Sequence, residues 1–197
     1  MMDKENQALT EILRALDGQD YVVLDTETTG LDSPEVVSVA VVDGHGKTLI
    51  NELVHPAKPI EPGASRITGI TDGMVRDRAE FPTIYERLRE AISGKFVIIY
   101  NATYDLKVLR NTCLRYNLVM PRFESWCAME WFAKVYGKWD SNRKNYTWQK
   151  LSTAAKYFRV QQTDAHDALG DCITTLWVIE AGLERARKLR PHMDRLL

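Results

Sequence analysis

The chain has 197 residues, of which 45% are apolar and 27% charged, which fits a single globular domain over residues 1–197. No stretch reaches the roughly 18 consecutive apolar residues of a membrane span, and the polar N-terminus lacks the apolar run of a signal peptide, so we expect a cytoplasmic location without a membrane partner. The net charge of −1 argues against a protein that grips long nucleic acid through surplus Lys and Arg. A nucleic-acid function would therefore hold a short end, with metal ions supplying positive charge.

The first half of the chain predicts one helix followed by strands. Residues 3–17 have an amphipathic helical pattern, and we assign 1–18 to an N-terminal helix that precedes the core of the domain at 20–180. Three short β-branched runs, the last two joined by a hairpin signal, predict strands at residues 21–25, 36–42 and 48–54. The Pro-rich residues 55–63 predict a loop.

The second half predicts a strand and helices in alternation. Residues 81–93 have helical spacing, and residues 96–100 form a strongly apolar short run that is typical of a buried central strand. Further helices are predicted at about 103–116, 126–136, 147–158 and 166–189. This order indicates the α/β class, with a mixed, five-stranded sheet flanked by helices.

Two carboxylates lie at the end of the first predicted strand. Asp25 and Glu27 are two residues apart, and in extended backbone such residues point to the same face. Because no basic residue lies between Asp20 and Lys47, the two carboxylates repel each other without local compensation. A bound divalent cation relieves such repulsion, so the pair indicates a metal site.

Two further polar clusters lie where helices are predicted to begin. Asn101 and Asp105 follow the buried strand, and Asp105 falls in the first turn of the next helix. His166 and Asp171 lie at the start of the last long helix, with Asp171 on the flank of its apolar face. Each pair of residues is a common pattern by itself.

A structural interpretation competes with the functional one at two of these acids. Asp105 and Asp167 each fall in the first turn of a predicted helix, where the helix dipole alone favours acids. For Asp167 we keep the structural interpretation, because the residue follows a predicted helix cap at Asp164. For Asp105 the neighbouring clusters favour a functional role.

The three clusters together carry a resemblance to a known family. Apolar strands precede the first two clusters, helices follow the last two, and residues 25–31 read Asp-Thr-Glu-Thr-Thr-Gly-Leu. From Tyr21 to Val178 the chain resembles the DEDDh exonucleases of the DnaQ-like branch of the ribonuclease H-like superfamily, in which these clusters are the Exo I, II and III motifs. Residues 66–71, Arg-Ile-Thr-Gly-Ile-Thr, are similar to a segment often found between the first two motifs.

The resemblance implies a ribonuclease H-like fold and a two-metal active site. It implies that His166 is the general base and that the metal ligands are Asp25, Glu27, Asp105 and Asp171. The cofactors would be two divalent ions, Mg²⁺ with Mn²⁺ as a substitute, one activating water and the other stabilising the leaving 3′-oxygen. By the same resemblance Asp25 bridges both ions, Glu27 and Asp171 complete one, and Asp105 holds the other.

The resemblance also implies where the substrate binds. The backbone of residues 26–29 would contact the terminal 3′-hydroxyl, and Leu31 would wedge against the terminal bases. The residues expected to contact substrate are Thr26, Thr28, Thr29, Leu31, Asn101, Tyr104 and Trp148. The chain departs from the family pattern at Tyr100 and Tyr104, where His and Phe are usual, and these changes leave the metal ligands in place.

Trp148 belongs to a basic and aromatic segment, residues 138–150, that has two interpretations. Alternating basic and aromatic side chains are typical of loops that bind a single strand. The same composition also fits a solvated loop in which Trp148 anchors the next helix. The sequence leaves both open.

These observations predict a 3′–5′ exonuclease that acts on single-stranded or frayed DNA 3′ ends and releases nucleoside 5′-monophosphates. A 3′–5′ exoribonuclease or oligoribonuclease is the alternative within the same chemistry, because no motif here reads the 2′-hydroxyl. An inactive module that docks onto a polymerase or onto nucleic acid is the alternative of another class. The expected partner is a single-stranded 3′ end, and a polymerase or repair partner is left open.

Overall fold

The computed structural model describes residues 4–16, 18–163 and 166–193. Its strands are β1 (Tyr21–Thr28), β2 (Val36–Asp43), β3 (Thr48–Leu53), β4 (Phe96–Ile99), β5 (Glu124–Cys127), β6 (Trp139–Asp140) and β7 (Asn145–Tyr146). Its helices are α1 (Lys4–Leu16), α2 (Pro62–Thr68), α3 (Asp72–Val75), α4 (Phe81–Ile92), α5 (Ala102–Arg115), α6 (Ala128–Tyr136), α7 (Leu151–Phe158) and α8 (Ala168–Met193). Within these ranges no helix is both long and apolar enough to cross a membrane.

A mixed five-stranded sheet lies at the centre of the molecule, in the order β3-β2-β1-β4-β5. The pairs β1–β2 and β2–β3 are antiparallel, whereas β1–β4 and β4–β5 are parallel. The α/β class and the five-stranded mixed sheet predicted from the sequence are therefore confirmed.

Helices cover both faces of this sheet. Val23 of β1 packs into a core with α1, α6, α7 and α8, whereas its neighbours Val22 and Leu24 pack into a second core with α4 and α5. Both faces are buried because consecutive side chains of a strand point to opposite sides. This is why β1 reads as a continuous apolar run until the first carboxylate.

The predicted boundaries differ from the structure at three places. The loop predicted to begin at residue 55 ends in α2, whose first residue is Pro62, a residue favoured at the first position of a helix. The predicted helix 126–136 begins only at Ala128, because the residues before it form β5 against β4. The predicted helix 147–158 begins only at Leu151.

The start of α8 also differs from the prediction, since the helix begins at Ala168 and not at residue 166. Asp167 is the capping residue: its carboxylate accepts a hydrogen bond from the Gly170 amide at 3.0 Å, and its carbonyl accepts one from the Asp171 amide at 2.8 Å. The structural role predicted for Asp167 is therefore observed, although as the cap itself. The cap predicted at Asp164 lies outside the described residues.

Candidate active site

The site forms where β1 extends beyond its pairing with β4. Strand β4 pairs only with residues 21–23 of β1, whereas β2 pairs with β1 as far as Thr28. The edge of β1 that carries Asp25 and Glu27 is therefore open on the β4 side. The turn that leads from β4 into α5 fills this opening.

Asp105 binds the open edge of β1 directly. Its Oδ1 atom accepts a hydrogen bond from the Thr26 amide at 3.0 Å and another from the Thr26 hydroxyl at 2.7 Å. Asp105 is only 3% exposed, so its carboxylate replaces the strand partner that the Thr26 amide otherwise lacks. This contact joins the first and second sequence clusters.

Helix α8 brings the third cluster to the same place. The Cys172 thiol lies 3.4 Å from the Ala40 carbonyl and 3.6 Å from the Val23 carbonyl, so the start of α8 packs across β1 and β2. One ligand atom from each of Glu27, His166 and Asp171 lies within 4.8 Å of the other two. Residues about 140 positions apart in the chain thereby face one another.

These side chains line one cleft of about 590 Å³. The predicted residues at its wall are Asp25, Glu27, Asp105, His166, Asp171, Thr26, Asn101, Tyr104 and Trp148. The cleft is also lined by Lys150, which the sequence placed only in the basic and aromatic segment, and by Gln149, Ser152 and Gln162, to which the sequence assigned no role of their own. These four belong to loops or to the first turn of α7, and no motif marks their position relative to the carboxylates.

Burial and mutual repulsion raise the pKa values of the two strand carboxylates. Burial raises the pKa of Glu27 to about 8, and the nearby Asp171 carboxylate adds to the rise. Burial also holds the pKa of Asp25 well above its usual range, with further repulsion from Asp105 and Glu27. Ionisation of both groups therefore needs a compensating positive charge.

The other two carboxylates have raised pKa values that hydrogen bonds partly oppose. Burial raises the pKa of Asp105 to about 7, against the stabilising hydrogen bonds from Thr26. Burial also raises the pKa of Asp171, against the His166 backbone amide and imidazole. The Asp171 Oδ1 atom is buried and has no hydrogen-bond partner among the described residues. Converging oxygen ligands, one of them unpaired, fit divalent cations such as Mg²⁺.

A second cavity, of about 330 Å³, adjoins this cleft, and both are lined by Thr26, Glu27 and Tyr104. Its outer wall is apolar: Leu31 is 76% exposed and Ile67 is 61% exposed. The sequence predicted Leu31 as a wedge but assigned no role to Ile67, although residues 66–71 were singled out as a segment.

Tyr104 fixes the loop that carries Leu31. Its hydroxyl donates a hydrogen bond to the Gly30 carbonyl at 2.8 Å and lies 3.0 Å from the Thr28 hydroxyl. Gly30 has a φ of 153°, and a Cβ atom there would overlap the Glu61 carboxylate. The φ value favours glycine at the base of the loop, and Tyr104 holds the loop against α5.

Thr29 holds the same loop through hydrogen bonds to Glu35. Its side chain is fully buried, its amide donates to the Glu35 carbonyl at 2.9 Å, and its hydroxyl accepts from the Glu35 amide at 3.0 Å. In the part of the chain that the structure describes, Thr29 lines neither cavity. The substrate contact predicted at Thr29 is one of its backbone, and the buried side chain itself positions the loop.

Tyr100, a departure from the family pattern, binds the opposite wall of the cleft. Its hydroxyl donates a hydrogen bond to the Gln149 carbonyl at 3.0 Å, and the ring is buried. The neighbouring Trp148 is 56% exposed at the cleft wall. Of the two interpretations of Trp148, this exposure favours a binding surface over a helix anchor.

Comparison with known proteins identifies the family of the chain. Residues 22–179 match the model of the exonuclease family RNase_T. An uncharacterised exonuclease, CP81 of Escherichia phage 186, is 37% identical over 170 residues, which cover 82% of this chain and 87% of the phage protein. The solved structure of exonuclease X in complex with 5′-overhanging duplex DNA is 26% identical, has a TM-score of 0.61 and covers 82% of this chain and 90% of that chain.

A longer protein contains a similar segment. The PolC-type DNA polymerase III of Caldanaerobacter subterraneus subsp. tengcongensis is 26% identical over 180 residues, which cover 89% of this chain. The matching segment is only 12% of that polymerase.

Proposed function

Since the chain belongs to the RNase_T exonucleases, in the DnaQ-like branch of the ribonuclease H-like superfamily, we propose that its 3′–5′ exonuclease activity removes nucleotides from single-stranded or frayed DNA 3′ ends. The products are nucleoside 5′-monophosphates. The observation that carries this proposal is the convergence of four carboxylates and one histidine in a single open cleft. The same observation argues against an inactive docking module, because the whole predicted catalytic set is present.

The four carboxylates form the proposed metal site. Asp25, Glu27, Asp105 and Asp171 would hold two divalent ions, Mg²⁺ with Mn²⁺ as a substitute, and the raised pKa values and the unpaired Asp171 oxygen support this assignment. When bound, such ions activate water and stabilise the leaving oxygen. They also neutralise the repulsion that otherwise keeps an anionic phosphate away.

His166 is the proposed general base. It lies just outside α8, is exposed, and has a φ of 64°, a backbone conformation that places it apart from the regular helix. A ring nitrogen there can accept a proton from the attacking water and release it to solvent. Its place beside Glu27 and Asp171 supports this role.

The second cavity is the proposed site of the terminal nucleotide. Leu31 and Ile67 provide apolar surface on which a base can stack, and such stacking tolerates any base. The Thr26 and Thr29 amides already donate to Asp105 and to Glu35. We assign the backbone contact to the 3′-hydroxyl to Glu27 or Thr28, which lie between them and line this cavity.

A digestion series tests the proposed function. Purified protein is incubated with 5′-labelled and 3′-labelled DNA oligonucleotides, and with matched RNA, in Mg²⁺ and in EDTA. We expect a ladder that shortens from the 3′ end with the 5′ label, immediate release of mononucleotide with the 3′ label, and no reaction in EDTA. Faster digestion of RNA would replace DNA by RNA as the substrate, and intact strands in Mg²⁺ and Mn²⁺ would contradict the proposal.

A further inference from the structure

A small hairpin continues directly into the wall of the active-site cleft. Strands β6 and β7 pair through Trp139 with Tyr146 and Asp140 with Asn145. The Thr147 amide donates to the Lys138 carbonyl at 2.8 Å and closes the base of this hairpin. The next residues, 148–152, all line the cleft. A nucleic-acid strand that leaves the cleft on this side therefore contacts the hairpin next.

The hairpin has a charge opposite to that of the rest of the chain. Residues 138–150 contain four basic residues and one acidic residue, whereas the whole chain has a net charge of −1. The Arg143 side chain is 85% exposed, and its distance of 3.8 Å to the Asp140 carboxylate makes only a loose ion pair. Lys144 is also exposed. Exposed positive charge beside the cleft complements a phosphate backbone.

The hairpin also presents aromatic rings to solvent. Trp139 is 55% exposed, and its ring packs edge-on against Tyr146 with the centroids 5.1 Å apart. Trp148, at the cleft wall, is exposed to a similar extent. Tyr146 supports one side of Trp139 and leaves ring surface free for stacking. Basic side chains combined with exposed rings are typical of surfaces that bind single strands without sequence preference.

We propose that residues 138–150 form a strand track, which binds the unpaired strand on the 5′ side of the nucleotide being removed. Arg143 and Lys144 contact backbone phosphates, and Trp139 stacks on a base. This inference rests on the proposed function, because the track acts only on a strand whose 3′ end lies in the cleft. Since Trp139, Arg143 and Lys144 line neither cavity of the active site, they strengthen binding of long strands and leave the chemical step unchanged.

A charge-removing double variant, Arg143→Gln with Lys144→Asn, tests the track. Both side chains are exposed, and asparagine tolerates the φ of 51° at position 144. The matched control is Lys47→Gln with Lys95→Gln, which removes the same charge. Both control residues lie near the start of β1, at the end of the sheet opposite the carboxylates, because Asp43 pairs with Val22 and Phe96 pairs with Tyr21.

The substrates are 5′-labelled thymidine oligonucleotides of about 3 and about 20 nucleotides, below and above the ~4–16-nucleotide sites of common single-strand binding modules. For the wild-type protein we expect a lower KM for the long strand. The double variant should raise that KM about tenfold, with kcat and all kinetics on the short strand unchanged. The salt dependence of long-strand binding should weaken by about 0.7 in log–log slope for each lost phosphate contact.

Three comparisons complete the test. Trp139→Ala should raise the long-strand KM without altering the salt slope, and matched uridine oligonucleotides show whether the track also accepts RNA. The proposal of a track would be overturned if the KM depended on strand length equally in the double variant, the control and the wild type. That result would leave the exonuclease assignment intact. If the wild type digests neither length, the proposed function fails. The track is then tested by fluorescence anisotropy, and it holds only if the double variant binds the long strand more weakly than the control does.

Discussion

Asp105 and Asp171 are both buried carboxylates, but their surroundings differ. The Asp105 oxygen accepts two hydrogen bonds from Thr26, whereas the Asp171 Oδ1 atom has no partner in the described part of the chain. Asp105 therefore helps to hold β1 in place, whereas Asp171 accepts a hydrogen bond from the His166 backbone amide and leaves one oxygen unpaired among the described residues. Substitutions at the two positions should have opposite effects on metal-free stability.

Asp171→Asn should abolish hydrolysis and leave the metal-free melting temperature unchanged or higher, because removing one of several crowded charges relieves repulsion. Asp105→Ala should also abolish hydrolysis but lower stability by about 1–3 kcal/mol, since it leaves the buried Thr26 amide without an acceptor. Thermal unfolding in EDTA measures both effects. A large destabilisation by Asp171→Asn would show that this residue has a structural role that the geometry does not show.

His166→Ala should lower kcat by about 10²–10⁴-fold while the protein still gains thermal stability from Mg²⁺ or Mn²⁺. The rate and the metal-induced change in melting temperature are measured on the same preparation. Full activity would assign proton transfer to another group. Loss of the metal-induced stabilisation would instead make His166 a ligand, a role that its distance from Glu27 and Asp171 also allows.

Motifs in the sequence identified the carboxylates and the histidine of the site. They did not identify residues that reach the site only through long-range packing. Asp25 and Glu27 were placed together because strand geometry fixes residues two apart. Ile67 and Gln149 have ordinary side chains, and only long-range packing brings them to the cavities.

At the scale of elements, the contact between β4 and the segment before α7 shapes the cleft. The Tyr100 hydroxyl, at the end of β4, donates to the Gln149 carbonyl and fixes the neighbouring Trp148 and Lys150 at the wall. The sequence located β4 and α7 but not this contact, since it joins residues 49 positions apart. The same reason explains why β5 was missed: Glu124-Ser-Trp-Cys127 has no apolar strand pattern, and its strand character comes from parallel pairing with β4.

Tyr100→Phe should raise the KM for single-stranded DNA about 2–10-fold with little change in kcat, because one hydrogen bond of about 0.5–1.5 kcal/mol no longer holds the cleft wall. Steady-state kinetics on an oligonucleotide longer than the cleft measures the change. Tyr136→Phe is the matched control, since that ring is 42% exposed and lies at the end of α6, outside both cavities. An unchanged KM for Tyr100→Phe would mean that the 147–150 segment is held by other contacts.

At the scale of the whole molecule, the carboxylate cluster makes stability depend on pH and metal. The folded-state pKa values of Asp105 and Glu27, about 7 and about 8, lie above their ordinary values. The folded protein therefore binds these protons more tightly than the unfolded chain does. Their contribution to stability is complete below the unfolded-state pKa values, about 4 to 4.5, and is lost as the pH rises to about 8.

In EDTA the melting temperature should therefore fall between about pH 4.5 and pH 8, and Mg²⁺ should restore it most at the upper end. Glu27→Gln should reduce this pH dependence, because it removes the group with the higher of these two pKa values. Thermal scans across the pH range provide the measurement. A melting temperature that rises with pH in EDTA would contradict the raised pKa values.

The whole fold was more predictable than its details. Burial on both faces of β1 and β4 gives continuous apolar runs that identified these strands, and the order of strands and helices predicted the α/β class. The docking of α1 was not predictable, because it depends on a distant partner: the Trp131 indole donates to the Ala8 carbonyl at 2.9 Å. The arrangement of strands and helices around the sheet nevertheless places three separate motifs at one end of β1.

Calorimetric titration with Mn²⁺, in the presence of a nucleoside 5′-monophosphate, tests most directly whether these motifs form one metal centre. We predict about two ions per wild-type chain and loss of both in Asp25→Asn, while circular dichroism shows that the variant remains folded. Equal Mn²⁺ binding by the wild type and Asp25→Asn would contradict a shared site.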